Sequence, residues 1–255
     1  MYHSVTFVDA FDSTQRVNTW DDWHLIPTSP PVVKPAQPNQ EILSIPGLNG
    51  QYDISALQTG YVTYKNRTGN FDFYYLSEYW GGSWANCLTT VASFLNGRRC
   101  KCYLEDDPTY YYEGYFYVKD WTPDRTNSKI SISYDVYPYK KEEQTSLDDW
   151  LWDPFNFERD VIRETSDISV GSTLIIVGSD EPIIPSFMFS GLSGSATVKH
   201  RWLDGPNPGT YSQNYIASSN GTYRFSGIVI RQGRNELVIG GNSGRVSVDY
   251  RGGLF

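Results

Sequence analysis

Ser83-Trp84-Ala85-Asn86-Cys87-Leu88-Thr89-Thr90-Val91-Ala92-Ser93-Phe94-Leu95-Asn96-Gly97 is the one stretch of this 255-residue chain that reads convincingly as a helix. Ser83 is a good N-cap. Trp84, Leu88, Val91, Ala92 and Leu95 recur at helical spacing, and Gly97 supplies a stop. On either side the period changes to two. Residues 99–104 put Cys100, Cys102 and Leu104 on one face of a strand, Asp106-Asp107-Pro108 makes a turn, and residues 110–121 resume a strand. Residues 129–137 form another, with Ile130, Ile132, Tyr134 and Val136 pointing one way. Upstream, residues 4–8 and 71–74 read as strands, and residues 52–57 as a single helical turn closed by Gly60. One helix on an antiparallel sheet is an α+β arrangement.

The second half has no helical period. Short β-stretches appear at 172–177, 186–190, 195–202, 222–230, 235–239 and 245–250, with Gly, Asn and Pro between them. Ala196, Val198, His200 and Trp202 alternate with Thr197, Lys199 and Arg201. That spacing predicts a β-sandwich. Gly240-Gly241-Asn242-Ser243-Gly244 reads as a hairpin loop between its last two strands. The chain as a whole is therefore expected to be mainly β.

Composition agrees. Aromatic residues are 16% of the chain and charged residues only 20%, which suits β-structure and disfavours a coiled coil. No apolar run approaches the roughly 18 residues of a membrane span, and the first residues lack a signal-peptide pattern. A soluble protein folded in a cytosol is expected, with no membrane partner. Cys87, Cys100 and Cys102 lie close together without the spacing of a zinc site, so they read as reduced structural thiols.

The net charge of −8 is uneven. Residues 1–140 carry 15 acids and 11 bases, residues 141–167 carry 9 and 3, and residues 168–255 carry 5 and 7. The acidic middle also holds Trp150, Trp152, Phe155 and Phe157, and reads as a linker whose aromatics dock on a flanking domain. We place a domain boundary there, giving domains 1–145 and 146–255, the second including part of the acidic linker at about 141–167. An acidic chain is a poor candidate for gripping nucleic acid. The one basic cluster, Arg98, Arg99 and Lys101, either touches a phosphate or caps the preceding helix, whose C-terminal dipole favours cations.

Enzymatic chemistry finds little support. His3, His24 and His200 are far apart in sequence, and no nucleophile elbow, P-loop or zinc-protease motif is present. The acid pairs Asp21-Asp22, Asp106-Asp107 and Asp148-Asp149 could supply glycosidase carboxylates, but adjacent acids on a turn are more often solvated or capping. No nucleophile, base and orienter converge, so no catalytic, cofactor or metal residue is assigned.

An ordered series of segments resembles the distal tail proteins of long, non-contractile-tailed bacteriophages. It begins with Asn18-Thr19-Trp20-Asp21-Asp22-Trp23-His24-Leu25-Ile26-Pro27 and Ser29-Pro30-Pro31-Val32-Val33. It continues through Ile45-Pro46-Gly47-Leu48-Asn49-Gly50 and Asn66-Arg67-Thr68-Gly69-Asn70-Phe71, to the Asp106-Asp107-Pro108 turn and Tyr137-Pro138-Tyr139. The ending, from Gly233-Arg234-Asn235-Glu236-Leu237 to Arg251-Gly252-Gly253, resembles the close of that family's galectin-like second domain. The resemblance implies a structural virion protein, a hexameric ring at the tail tip that joins the tail tube to the adhesion apparatus. Its implied partners are further copies of itself, the tail tube protein, the tape-measure protein and receptor-binding proteins. DNA passes through the channel without being specifically bound. Six copies at −8 each carry −48, and acid facing a channel discourages DNA from sticking to it. Assembly takes place in the host cytoplasm.

Two further expectations concern surfaces. Trp20 and Trp23 lie next to an arm that Pro30, Pro31, Pro35 and Pro38 keep extended and short of ladder hydrogen bonds. Trp20, Trp23, Pro30 and Pro31 are candidate interface residues, since aromatics are enriched at interface cores. The alternative is that both tryptophans cover the domain's own core. A glycan-binding sandwich acting in host-surface adhesion is the competing function. It needs a convergent polar set, and alternation puts Arg201 on the face opposite His200 and Trp202.

Overall fold

A computed structural model describes residues 2–47, 49–57, 59–80, 83–124, 128–149 and 163–255. Trp150, Trp152, Phe155 and Phe157, expected to dock on a flanking domain, lie outside the described residues. Strand accounts for 44% of the chain and helix for 6%, so the mainly β reading holds. The chain divides into two compact units, Met1–Lys140 with Phe255, and Lys141–Leu254.

The first unit contains β1 (Val5–Asp9), β2 (Arg16–Asn18), β3 (Leu25–Pro27), β4 (Ile42–Leu43), β5 (Tyr52–Asp53) and β6 (Arg67–Tyr75). There follow a 3-10 turn at Ser77–Trp80, α1 (Trp84–Leu95), β7 (Arg99–Leu104), β8 (Asp107–Thr122) and β9 (Lys129–Val136). Its main sheet runs β2-β1-β7-β8-β9-β6-β3, every pair antiparallel. Laid flat, its outer strands would lie about 29 Å apart at ~4.8 Å per step. Thr19 shows that the sheet is not flat. This residue follows β2 directly, exchanges hydrogen bonds with Val5 in β1, and accepts from the Leu25 N–H of β3 at 2.7 Å. The sheet therefore curls almost to closure, and the residues of its concave side form one core. Phe7, Leu25, Phe73, Phe116 and Ile132 lie there fully buried, each contributing roughly 1.5–3 kcal/mol relative to exposure.

Helix α1 begins as expected. The Ser83 hydroxyl accepts from the Asn86 N–H at 3.3 Å, and Gly97 at φ +84° ends it. Its buried stripe is Cys87, Val91 and Leu95, rotated from the expected one: Trp84 is 39% exposed. Residues 52–57 also differ from expectation. Tyr52 pairs with Leu43 in a two-stranded ribbon, and only the turn after it, ending at Gly60, is helix-like. The proline arm is extended, but it is not short of hydrogen bonds. The Thr28 N–H donates to the Asp72 carbonyl, Lys34 N–H to the Tyr134 hydroxyl, and Asn39 N–H to the Thr63 carbonyl. Arg67, 5% exposed, pins it further by donating to the carbonyls of Lys34 and Pro138.

The second unit opens within β10 (Lys140–Glu142), at Lys141, and the Glu142 N–H donates to the Gly252 carbonyl beside β19 (Gly253–Leu254). Between them run β11 (Ile168–Ser169), β12 (Thr173–Gly178), β13 (Ser186–Ser190), β14 (Ala196–Trp202), β15 (Tyr215–Ala217), β16 (Gly221–Arg224), β17 (Gly233–Gly240) and β18 (Arg245–Asp249). They form two four-stranded sheets, β11-β18-β13-β16 and β12-β17-β14-β15, the expected sandwich. Phe187, Val198, Ile228, Leu237, Val246 and Val248 fill the space between them with no exposure above 0%.

Two expectations fail here. Gly240–Gly244 is not a hairpin loop: β17 and β18 belong to different sheets, so this segment arches from one to the other. Its glycines permit the arch. Gly241 and Gly244 sit at φ +147° and +132°, and a Cβ on Gly244 would come within 2.7 Å of Leu192. Residues 222–230 are also not one strand. The chain leaves the sheet after Arg224, turns with Ile228 N–H bonded to the Phe225 carbonyl, and returns as an isolated bridge between Ile230 and Ile183.

Candidate functional site

The segment from Asn18 to Pro31 is organised by one asparagine. Asn18 Oδ1 accepts from the N–H groups of Trp20 and Asp21, and the Asn18 N–H donates to Asp22. This tight turn faces the two tryptophans opposite ways. Trp23 is 2% exposed, its ring 6.1 Å from Phe7 and 5.9 Å from Phe94. Trp20 faces outward, stacked on Tyr2 at 4.1 Å and edge-on to Tyr79, which in turn stacks on His24 at 4.2 Å. Pro30 is exposed and Pro31 buried. Trp23 and Pro31 are therefore committed to the first unit's core. Trp20 and Pro30 present surface, and the exposed rings of Tyr2 and Tyr79 widen the aromatic patch around Trp20.

A second apolar surface escaped the sequence reading. Trp84 and Leu88 of α1 and Trp121 and Ile130 together line a shallow surface groove with room for about one water molecule. Trp121 joins it because the β8–β9 register shifts between Val118 and Asp120, which sets Trp121 opposite Ile130. A β-bulge of this kind leaves no mark in a simple alternation.

The titratable candidates are scattered. His3 Nδ1 meets Asp106 at 2.9 Å, His24 stacks on Tyr79, and His200 Nε2 meets Asn235 Oδ1 at 3.1 Å. Burial holds His200 below its ordinary pKa. Asp22 caps its own turn, Asp107 pairs with Lys140, and Asp148 accepts from the Thr145 N–H. Burial pushes the Cys87 thiol up to about 12 and Cys100 to about 11, and holds Cys102 well above its ordinary value. Thiols held protonated are poor nucleophiles and poor metal ligands. Among the described residues, no three His, Cys, Asp or Glu side chains are grouped to hold a metal ion.

The basic cluster is divided among internal partners. Arg98 pairs with Asp9 at 3.4 Å and lies over Phe94. Arg99 pairs with Glu113 at 2.8 Å and lies over Tyr137, and Lys101 lies over Tyr111. On the second unit, His200 faces inward and Arg201 outward, as alternation required. Arg201 is held in a fork by Glu236 at 2.5 and 3.1 Å, and the Tyr211 hydroxyl donates to the same carboxylate. Those two donors hold Glu236 below the usual carboxylate range. The Trp202 indole N–H is bonded to the Gln232 carbonyl, with Arg231 over its ring.

The chain thus combines two β-rich units, polar groups paired with one another, and aromatic rings left exposed on the first unit. No family model and no curated protein matches the sequence. Among solved structures, the chain is similar to the crystal structure of the Dit protein (gp 19.1) of phage SPP1, described as a paradigm of the hub adsorption apparatus in phages that infect Gram-positive bacteria. The likeness covers 97% of this chain and 98% of that one, with a TM-score of 0.53 and 11% identity. It is a likeness of fold, and it agrees with the resemblance to distal tail proteins carried by the segments from Asn18 onward.

Proposed function

We propose that this chain is a structural subunit of a bacteriophage tail tip, a ring of six copies that joins the tail tube to the adhesion apparatus. The observation that carries the reading is the end-to-end likeness to the Dit hub protein, which spans both units rather than one. The first unit forms the ring around a channel for the tape-measure protein and then DNA. The second, a galectin-like sandwich, projects toward receptor-binding proteins. It works by geometry rather than catalysis, in the virion's tail, after assembly in the host cytoplasm. The internal pairing of Arg98, Arg99 and Lys101 supports a conduit that does not hold DNA. Electron micrographs of the purified full chain test the reading. Rings with a central opening support it, and featureless single particles at every concentration refute it.

A further inference from the structure

We infer that β12 is a docking edge and that its occupant is β12 of a second copy. The two strands pair antiparallel about a local two-fold axis at Ile175, and two sandwiches share one continuous sheet. The contact belongs to the second unit and stands whether or not the first unit forms a ring.

The edge is open along its whole length. β12 ends its sheet and pairs only with β17. The Ile239 N–H donates to the Ser172 carbonyl, and hydrogen-bonded residues alternate along an antiparallel strand. Leu174, Ile176 and Gly178 therefore turn their N–H and C=O groups toward β17, while Thr173, Ile175 and Val177 turn theirs outward. Among the described residues, nothing bonds to that outward row. Every other strand described at the end of a sheet has four residues or fewer, and β12 has six. It carries no charge, no proline and no bulge, the devices that keep an edge from pairing. Ile175 is 48% and Val177 39% exposed.

The surroundings select an uncharged strand. On β17, Glu236 lies opposite Ile175 and Arg234 opposite Val177. Both charges are already taken, Glu236 by Arg201 and Arg234 by Asp204 at 2.7 Å. A basic or acidic segment would find no free counter-charge beside the edge, and would leave its own charge unpaired there. A strand of Thr, Leu, Ile and Val brings no such cost, and β12 is that strand.

It is also its own complement in one register. With Ile175 opposite its own copy, Thr173 of each strand faces Val177 of the other. Each of these pairs exchanges two hydrogen bonds, so every outward N–H and C=O is matched. The two-fold axis runs perpendicular to the sheet. It brings the two Ile175 side chains together on the exposed face, with Cα atoms about 5.5 Å apart, and leaves Leu174 and Ile176 facing their own cores. β-Branched residues set directly opposite one another add to the pairing. The contact is isologous. Where six copies share a ring, their second units join two by two and the number of copies is unchanged.

Cysteine cross-linking of the full chain with a mild oxidant, resolved on a denaturing non-reducing gel, reads this register. Cys87, Cys100 and Cys102 are buried, so the wild type should run as a single chain. Ile175→Cys should give a two-chain species, because its Cα separation falls within the roughly 4.4–6.8 Å of a disulfide. Thr173→Cys and Val177→Cys should each stay single, since four residues at ~3.4 Å set each about 14 Å from its own copy. One chain carrying both substitutions should cross-link to a second. All three positions are exposed, so melting temperatures should match the wild type. Adding Ile175→Lys to the double variant should abolish its cross-link, because two like charges then stand opposite each other. If Ile175→Cys stays single, or Thr173→Cys alone cross-links as readily as the double variant, the pairing is overturned and the ring reading stands. If Ile175→Cys cross-links while the native mass never exceeds two chains, the ring reading is overturned and the pairing stands.

Discussion

The outer face of β14 and β17 in the second unit and the groove beside α1 in the first both expose aromatic rings, yet they differ in what their polar atoms do. Around Arg201, every strong group has a partner already in place: the guanidinium with Glu236, the carboxylate with Tyr211. Beside α1, two tryptophans stand half open above a buried tyrosine hydroxyl with no partner, and at the far end of the helix Phe11 points into solvent. A surface that has satisfied itself has little to gain from a ligand. One with half-open rings gains buried apolar area when something covers it. The contrast makes a sugar site at Arg201 the weaker candidate, since a sugar would have to displace a charge-assisted pair.

The comparison sharpens if the two units respond separately to damage. Phe116→Ala removes a fully buried ring from the curled sheet and should cost about 3–5 kcal/mol. Calorimetry should show the first unit's transition moving down while the second's stays in place. A common shift of both transitions would contradict separate cores. Next in size, Gly244→Ala forces a side chain into a left-handed backbone against Leu192 and should destabilise the sandwich by about 1–3 kcal/mol. A neutral result would mean that the arch between β17 and β18 is easily remodelled.

A smaller effect belongs to His200. Its folded pKa lies below the ordinary 6.5, so the unfolded chain takes up the proton first as pH falls. The stability it contributes is complete above 6.5 and declines below it, toward the depressed folded value. His200→Gln should flatten the pH dependence of the second unit's melting in that window, and an unchanged profile would place the titration elsewhere. The last effect is chemical. Cys87, Cys100 and Cys102 should resist a thiol reagent in the native chain near pH 8 and all react after denaturation. Rapid native labelling would show that α1 opens readily from the sheet.

Much of this architecture was legible in the residues. Ser83 and Gly97 bounded the helix, and the alternation in 129–137 and 195–202 marked strands whose inward faces are buried as read, except that Trp202 stays partly exposed. The illegible parts are those where one residue's role depends on distant chain. Four residues between β17 and β18 look the same whether the strands pair or part, and here they part. Thr19 looks like an ordinary turn residue, yet it draws the outermost strands together. Trp20 and Trp23 read as a pair, and a three-residue offset across the Asn18 turn sent one outward and one into the core. The groove was hidden by a bulge at Val118, and Phe11 gave no periodic signal because it lies on a turn.

Light scattering of the full chain after size exclusion, across a wide concentration range, tests the central claim most directly. A closed ring gives one mass that does not grow with concentration, about 175 kDa for six copies of the 29.1 kDa chain. A mass fixed at that of one chain, or one that rises without limit, would contradict it.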